Sequence, residues 1–410
     1  MGRGFTLNRY EWRGQDRTGN VTDIVVVGGG YVGLFAAADL ANRGARVVLV
    51  ERGLPGAANS INAPGGIRRQ FGTEINIRLA QLSGPTWDDF ETRFGVDPLF
   101  QNIGYLFLAR SEPHSADLAR NVALQNSLGV DSELLDADEI GRRWPMLRGR
   151  GFAAAGFRQA DGWANQHRII DGLVRGCLAL GVDLRVGTEV QALRLVGGRV
   201  TGVHTSAGPI AADVVLLATG AWSLSLLDGI GPALPVVARR HELLLVEPPR
   251  PYPARTPWLI GVDDGVHTRV DVDGLALVGG FLGQDLPVDP DTYDPRADPS
   301  WTRGVLEIAD RVFGLPGSGA RVHRGWARAL SGHTGPTPDH RSRCRRHFRG
   351  PRVRRYWADA RARGRSAGNR ADLRWRAGVD LRTRTERDAI WRHSAFGDNR
   401  LLDGDAELTR

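Results

Sequence analysis

Lysine is absent from this chain of 410 residues, so arginine supplies all 54 of its basic side chains. Arginine codons are rich in G and C, whereas lysine codons are rich in A and T, so this absence indicates a GC-rich gene and says little about function. Cysteine is nearly absent too. Only Cys177 and Cys344 occur, which excludes a disulfide framework and predicts a protein of the reducing cytoplasm.

Long apolar runs are also missing. No stretch approaches the roughly 18–20 apolar residues of a membrane-spanning helix, so we expect no membrane span. Residues 1–20 contain no apolar core either, and we interpret them as a disordered leader rather than a secretory signal. With 41% hydrophobic and 24% charged residues, the composition is that of a globular protein long enough for two domains.

The surplus of arginine over acidic residues lies at one end of the chain only. Residues 341–410 hold 20 arginines and 9 acidic residues, whereas residues 1–340 hold 34 and 37. The net charge of +8 therefore comes from an atypical Arg-rich tail over residues 341–410, in which arginine interrupts every apolar run. Such a tail, with Tyr356 and Trp375, could contact phosphates and stack on bases. No recognised binding motif accompanies it, so we do not expect a nucleic-acid partner.

A glycine motif stands between a buried strand and a helix near the start of the chain. Residues 23–27, DIVVV, form the continuous apolar run of a strand buried on both faces, and LFAAADLANRG after the motif has helical spacing. Between them, Gly28, Gly30 and Gly33 match G-x-G-x-x-G. These glycines permit a tight turn, close approach of a diphosphate and packing of helix on strand. The helix N-terminus then favours the phosphate charge.

Glu51 ends the second strand of this βαβ unit, 18 residues after Gly33. A carboxylate there accepts hydrogen bonds from ribose hydroxyls and disfavours a 2′-phosphate, so NAD or FAD fits better than NADP. The unit as a whole predicts a dinucleotide site. The alternative is a glycine-rich turn that holds no ligand.

Beyond this unit, hydrophobic periodicity predicts further helices and strands. We expect helices at 74–95, 114–128 and 167–181, strands at 104–109 and 214–219, a hairpin at 198–206, and several strands over 241–283.

Seven further segments follow the glycine motif in a fixed order. They are SINAPGGIRRQF at 60–71, GYLFLA at 104–109, DG at 161–162, TEV at 188–190, LLATGAWS at 216–223, VGG at 278–280 and TPDH at 337–340. In this combination the sequence resembles the D-amino-acid-oxidase-like (DAO) family of FAD oxidoreductases, and within it the β-subunits of sarcosine oxidase and related amine or amino-acid dehydrogenases. The resemblance covers residues 22–340.

The resemblance implies FAD as the cofactor, with the ADP half on the βαβ unit and the flavin ring beside the loop at 65–68. Cys177 lies far from the matched flavin segments, and Cys344 lies just past TPDH. The loop at 60–71 contains no histidine and has Asn62 where an attachment residue is sought, so we expect non-covalent FAD. The residues that the resemblance assigns to the cofactor are Gly28, Gly30, Tyr31, Val32, Gly33, Glu51, Arg52, Ser60, Gly65, Gly66, Ile67, Val190, Thr219, Gly220 and Trp222.

Arg68 is the first candidate for substrate binding, because the resemblance places an arginine there on the substrate carboxylate. A guanidinium pairs bidentately with a planar carboxylate. Arg69 is the rival, since side chains alternate in an extended loop, and a structural arginine is the alternative for both. His267 lies where relatives carry an aromatic residue that lines the substrate pocket; the alternative is a surface loop.

The implied activity is oxidation of a small secondary amine or amino acid. A hydride leaves the carbon next to nitrogen for flavin N5, and water hydrolyses the resulting imine. The sequence leaves open whether oxygen, a quinone or a protein accepts the electrons. None of the ten histidines has metal-ligand spacing, so we expect no metal.

The Arg-rich tail departs from the family, whose members continue after TPDH with a Gly-rich loop at the flavin. A disrupted reading frame near residue 341 is one explanation. A catalytically impaired or non-catalytic flavoprotein-like protein is therefore the alternative function.

The predicted fold class is α/β, a Rossmann-type FAD-binding domain with a second, sheet-based (α+β) substrate domain. We expect the FAD-binding domain to comprise residues 21–95, 150–225 and 325–340, and the substrate domain to comprise residues 96–149 and 226–324.

Overall fold

The structure is a computed structural model, and it describes residues 22–333 apart from 228, 229, 231–235, 254, 272, 283–286 and 318. The predictions for the leader at 1–20, the TPDH segment at 337–340 and the tail at 341–410 lie outside the described residues.

Eight helices and sixteen strands make up the described part of the chain. The helices are α1 (Tyr31–Asn42), α2 (Glu74–Asp88), α3 (Phe90–Phe94), α4 (Glu112–Ser127), α5 (Ala137–Arg143), α6 (Gln166–Ala179), α7 (Ser223–Leu227) and α8 (Pro299–Phe313). The strands are β1 (Thr22–Val27), β2 (Val47–Val50), β3 (Gly66–Ile67), β4 (Tyr105–Ala109), β5 (Glu133–Asp136), β6 (Ala154–Arg158), β7 (Gly162–Trp163), β8 (Asp183–Arg185), β9 (Val190–Val196), β10 (Arg199–Thr205), β11 (Gly208–Leu217), β12 (Val236–Glu247), β13 (Trp258–Gly261), β14 (Val266–Val270), β15 (Ala276–Gly280) and β16 (Arg321–His333).

The first sheet contains six strands in the order β8-β2-β1-β11-β10-β9. Its centre is parallel, since β1 pairs in parallel with both β2 and β11. Helices α1 and α6 pack together on one face, where Leu34, Leu173 and Cys177 are fully buried. Continuous burial of β1 and β2 explains their apolar runs. The carboxyl ends of β1, β2 and β11 therefore meet at one edge of the sheet, where doubly wound sheets bind ligands.

The second sheet contains eight strands in the order β16-β12-β15-β14-β13-β4-β6-β5. All its pairs are antiparallel except β13 with β4. Helix α8 packs on it through an apolar face that includes Trp301, Val305 and Phe313. The two sheets, one Rossmann-type and one largely antiparallel, confirm the predicted fold class. The domain boundaries stay a prediction; β6 and β16 both pair within the second sheet.

The predicted elements occur with shifted ends. The helix expected at 74–95 is divided at Asp89 into α2, which contains Pro85, and α3, which ends before Gly95. The hairpin expected within 198–206 is wrong in its bounds, because this stretch forms the single strand β10, which pairs in antiparallel fashion with β9 before it and with β11 after it. Within the described ranges, none of the helices combines the length and apolar character that crossing a bilayer requires.

Candidate active site

The glycine motif forms the turn between β1 and α1, as its spacing predicts. Gly28 has a φ of +104°, a conformation that disfavours residues with a Cβ, and a Cβ there would lie 2.6 Å from the carbonyl oxygen of Ala218. A Cβ at Gly33 would overlap the carbonyl oxygen of Gly28. The backbone of the turn therefore packs closely against itself and against Ala218 at the end of β11. The N-terminus of α1 lies at this edge of the sheet.

Glu51 and Ser60 hold this turn in place by hydrogen bonds to backbone amides. Glu51 Oε2 accepts from the amide of Gly29 at 2.6 Å, and its Oε1 accepts from Gly53 at 2.8 Å. Ser60 Oγ accepts from the amide of Tyr31 at 3.0 Å, in the first turn of α1. Val32, the next residue, is exposed. The residues that the sequence assigns to the ADP half of a dinucleotide are therefore brought together here.

The segment after β11 completes the same edge. Thr219 precedes a short 3-10 turn over Gly220–Trp222, and its Cα would lie 3.3 Å from a Cβ on Gly28. Trp222 Nε1 donates to Asp291 at 2.7 Å, while Arg52 pairs with Asp291 at 2.9 Å and stacks on the Trp222 indole at 4.5 Å. Val190 starts β9 and packs against the apolar core of β1 and β2. Asp291 thus connects this edge to the segment before α8.

Three buried polar atoms converge beside α1 without a hydrogen-bond partner among the described residues. They are Tyr31 Oη, Asn59 Oδ1 and Arg328 Nε. The Asn59 amide is fixed by its donation to the carbonyl of Ala329 at 2.6 Å, and the charge of Arg328 acts on the Tyr31 hydroxyl. Unpaired buried polar atoms are costly, and a ligand with many polar groups satisfies them. The glycine cradle and these atoms fit a dinucleotide such as FAD.

The loop from Pro64 to Gln70 links the two sheets. Gly65 has a φ of +80°, and a Cβ on Gly66 would overlap the Tyr105 hydroxyl. Gly66 and Ile67 form β3, which pairs with β7. Asp161, only 1% exposed, accepts from the amides of Arg69 at 3.0 Å and Gln70 at 3.4 Å and pairs with Arg158 at 2.6 Å. Glycine is therefore required where the loop touches the second sheet.

The two candidate arginines point to different places. The Arg68 guanidinium stacks over Phe71, Phe107 and Tyr105, at 4.7, 5.4 and 5.9 Å from the ring centroids. The Arg69 guanidinium instead lies against Gly84 of α2. Of these two arginines, Arg68 is the one whose charge acts on His267. The structure thus brings Arg68, and not Arg69, together with the third candidate.

His267 lies on β14 and is an inward-facing histidine rather than a loop residue. Its Nδ1 accepts from Trp258 Nε1 at 3.3 Å, so the ring proton of the neutral form lies on Nε2. Burial, with the positive charges of Arg328, Arg269 and Arg68 and a smaller contribution from His241, lowers the pKa of His267 to about 3. At neutral pH His267 is an uncharged hydrogen-bond donor.

Sequence reasoning missed Arg328, which lies on β16 opposite His241 of β12. Burial lowers the pKa of its guanidinium to about 10, with Tyr31 and Tyr293 opposing the shift, so the group keeps its charge at neutral pH. The charge of this guanidinium acts on both Tyr31 of the cradle and His267, and it is a group that a carboxylate would satisfy. No signal in an arginine-rich sequence distinguishes it from its neighbours Arg321 and Arg324.

Of the side chains considered for covalent attachment of flavin, the structure describes Cys177 and Asn62, and both are engaged by backbone carbonyls. Cys177 is buried in α6 and contacts the carbonyl of Leu34, and burial raises the pKa of its thiol to about 11. The Asn62 amide donates to the carbonyl of Ala58 at 2.7 Å. Cys344 lies outside the described residues. In the described ranges, His, Cys, Asp and Glu side chains form no group of three or more that could hold a metal.

The chain is similar to known proteins in sequence and in structure. The chain is 30% identical over 267 residues to 4-methylaminobutanoate oxidase (formaldehyde-forming) of Paenarthrobacter nicotinovorans, which covers 64% of this chain and 32% of that protein. It is 28% identical over 301 residues to glycine oxidase of Geobacillus kaustophilus, covering 72% and 76%. It is 33% identical over 225 residues to D-amino acid dehydrogenase of Cereibacter sphaeroides, covering 53% and 51%. The chain thus spans about a third of the first relative and about half of the last.

Among solved structures, L-proline dehydrogenase from P. horikoshii matches with a TM-score of 0.68 and 26% identity, over 75% of this chain and 81% of that one. The family model described as FAD dependent oxidoreductase matches residues 23–366. The match extends past His340 into the Arg-rich segment, so the expected coverage of residues 22–340 is too short at its C-terminal end. These matches confirm the resemblance and the expectation of FAD, and the chain belongs to the DAO family of FAD-dependent oxidoreductases.

Proposed function

We propose that this protein uses FAD to oxidise a small amine that carries a carboxylate, such as a secondary amine or an amino acid. One observation carries the proposal: the charges of Arg68 and Arg328 both act on the neutral imidazole of His267, and Arg328 also acts on Tyr31 of the dinucleotide cradle. Cations next to an uncharged donor suit an anionic substrate group.

The cofactor would be held at the edge of the first sheet. Those backbone amides of the turn and of the first turn of α1 that Val50, Glu51 and Ser60 do not engage would receive the diphosphate. Glu51 would accept from the ribose, and Arg52, Ser60, Val190 and the Thr219–Trp222 segment would enclose the ADP half. Gly65, Gly66 and Ile67 would line the ring. The orphaned Tyr31 hydroxyl and Asn59 amide oxygen support this placement.

The substrate would be oriented by its carboxylate. Arg68 and Arg328 would bind it by charge-assisted hydrogen bonds, and the Nε2–H of His267 would donate to it. The aromatic rings of Tyr105 and Phe107 pack against one face of the Arg68 guanidinium and exclude water from that face. When bound, FAD supplies the acceptor for a hydride from the carbon next to nitrogen. The residues of the chain supply position and charge.

Anaerobic mixing tests the proposal. The full chain with bound FAD is mixed with sarcosine, L-proline, glycine or D-alanine, and the flavin absorbance near ~450 nm is followed, since reduction removes that band. We expect at least one of them to bleach it. Dimethylamine, which is sarcosine without its carboxylate, is the matched control and should not. If none of the carboxylate-bearing amines bleaches a bound flavin, the proposal is wrong.

A cytoplasmic location is part of this proposal, and the buried, unpaired Cys177 supports it. Fractionation of the source cells, followed by immunodetection, should find the protein in the cytoplasmic fraction.

A further inference from the structure

Arg269 is a charged side chain in the interior of the second sheet. It lies on β14 two residues after His267, so both side chains point to the same face of the strand. Only 1% of Arg269 is exposed. Its ion pair with Asp271 is long, at 3.6 Å, so that carboxylate alone does not explain why a charge is buried here.

The Arg269 guanidinium instead contacts the loop that leads to Arg68. Its Nε and one terminal nitrogen both donate to the carbonyl oxygen of Pro64, at 3.3 and 3.1 Å. Its face lies 3.8 Å from the ring centroid of Trp163 and 5.3 Å from that of Trp258. Both contacts act on the same loop, because the backbone of Trp163 pairs with Gly66, two residues after Pro64.

Other groups hold the loop at neighbouring points, and they come from a different part of the chain than Arg269 does. Gln166 donates to the carbonyl of Ala63 at 2.5 Å. The amide of Ala164 donates to the carbonyl of Gly65 at 3.0 Å. Asp161 accepts from the amides at the far end of the loop. All three belong to residues 161–166. Arg269 is the contact from the strand that carries His267, and Trp258 touches both Arg269 and His267.

We propose that Arg269 is a positioning residue that fixes the loop carrying Arg68 against the strand carrying His267. The proposal rests on the proposed function, in which Arg68 and His267 bind one substrate carboxylate. Arg269 does not itself touch the substrate. It sets the separation of the two groups that do, through one carbonyl and one indole.

Hydrogen exchange with mass spectrometry tests the contact, in the full chain with and without FAD. Arg269→Lys keeps the charge, but an ammonium cannot donate two parallel bonds to one carbonyl while stacking on two indoles. We expect exchange over residues 64–71 to accelerate about tenfold, equivalent to about 1.4 kcal/mol of lost protection. Arg150→Lys is the matched control, since Arg150 also donates to backbone carbonyls, those of Met146, Asp310 and Arg311. The control should leave that segment unchanged.

A kinetic readout separates positioning from a general loss of structure. With an amine that bleaches the flavin, Arg269→Lys should raise KM about tenfold while kcat changes less than about twofold, because substrate binding is weakened uniformly. If Arg269→Lys does not fold, Trp163→Phe replaces it. This variant keeps the β3–β7 pairing and weakens the stacking, so we expect a smaller acceleration in the same segment.

Each result decides a different claim. Exchange over 64–71 that is equal in Arg269→Lys and Arg150→Lys, or a lower kcat at unchanged KM, overturns the positioning role. If the unaltered protein is bleached by no amine, the proposed function fails, whereas the exchange comparison still decides whether Arg269 fixes the loop.

Discussion

At the residue scale, the clearest feature is a histidine that stays neutral because it is buried and because the charges around it are positive. Arg68, Arg269 and Arg328 all act on His267, and His241 adds to them, so protonation of the ring would add a charge to a cationic site. Trp258 fixes the tautomer by donating to Nδ1. In the proposed site, His267 would therefore act as a donor from Nε2 and not as a base that titrates near neutral pH.

His267 should also make the protein less stable in acid. Its pKa is about 3 in the folded protein and about 6.5 in the unfolded chain. Between these values the unfolded chain binds more protons, so the free energy of unfolding falls as pH falls, by about 1.4 kcal/mol per pH unit. Above pH ~6.5 there is no effect. Urea unfolding at pH 7 and pH 5 should therefore show a smaller loss for His267→Gln than for the unaltered protein; parallel losses would contradict the assignment.

Arg68 and Arg69 form a natural matched pair. Because the Arg68 guanidinium lies over Phe71, Phe107 and Tyr105 and the Arg69 guanidinium lies against α2, only Arg68→Gln removes a charge from the pocket. Loss of a charged hydrogen bond costs about 1.5–3 kcal/mol, which raises KM for a carboxylate-bearing amine roughly 10–150-fold. Arg69→Gln should leave KM within about twofold. A larger rise in KM for Arg69→Gln than for Arg68→Gln would instead assign the substrate carboxylate to Arg69.

Arg328 allows a similar comparison on β16. Arg328→Gln removes the buried guanidinium, whereas Arg321→Gln on the same strand removes one that is 73% exposed and pairs with Glu247. We expect benzoate, used as a carboxylate probe of the flavin spectrum, to bind at least about tenfold more weakly to Arg328→Gln, since a charge-assisted bond is lost. Equal affinity in the two variants would remove Arg328 from the site.

At this scale the sequence predicts residues whose role is backbone geometry better than residues whose role is a side-chain contact. Gly28, Gly33 and Glu51 follow from spacing alone, because the turn they form is local. Arg328 and Arg269 do not, since each acquires its role from strand pairings that the sequence does not encode locally. With 54 arginines present, residue type gives no signal either.

At the scale of elements, the N-terminus of α1 is the part on which cofactor binding depends. It has no side-chain N-cap, and Gly30 occupies the capping position. One amide of its first turn is taken by Ser60, and the others are available to a diphosphate.

Gly33→Ala tests this element. The added Cβ would overlap the carbonyl of Gly28 and force α1 away from β1, so we expect loss of bound FAD, measured as flavin absorbance per chain. Gly304→Ala is the control. Gly304 lies within helix α8, and a Cβ there would meet only Leu282, at 3.8 Å. The control should bind FAD normally and gain about 0.5–1 kcal/mol in stability. Full FAD content in Gly33→Ala would contradict the proposed cradle.

The elements themselves were largely predictable, and their association was not. Buried strands such as β1 and β4 and amphipathic helices such as α6 and α8 follow from apolar periodicity. The parallel pairing of β13 with β4, over a sequence separation of about 150 residues, does not, because no local pattern specifies a long-range partner.

At the scale of the molecule, the cleft depends on contacts that cross between the two sheets. The loop at 64–70 leaves the first sheet and is fixed by Arg269 of the second. At the other end of the cradle, Asp291 reaches Arg52 and Trp222. The resemblance to DAO-family enzymes predicts the cofactor and a fold with two sheets. It does not predict that Arg328 of the second sheet acts on His267 together with Arg68.

The central claim is that this chain binds FAD at the edge of its first sheet. The most direct measurement is titration of the purified 410-residue protein with FAD, following the flavin band near ~450 nm after removal of free nucleotide. The account predicts one FAD retained per folded chain. Folded protein that retains none at saturating FAD would contradict it.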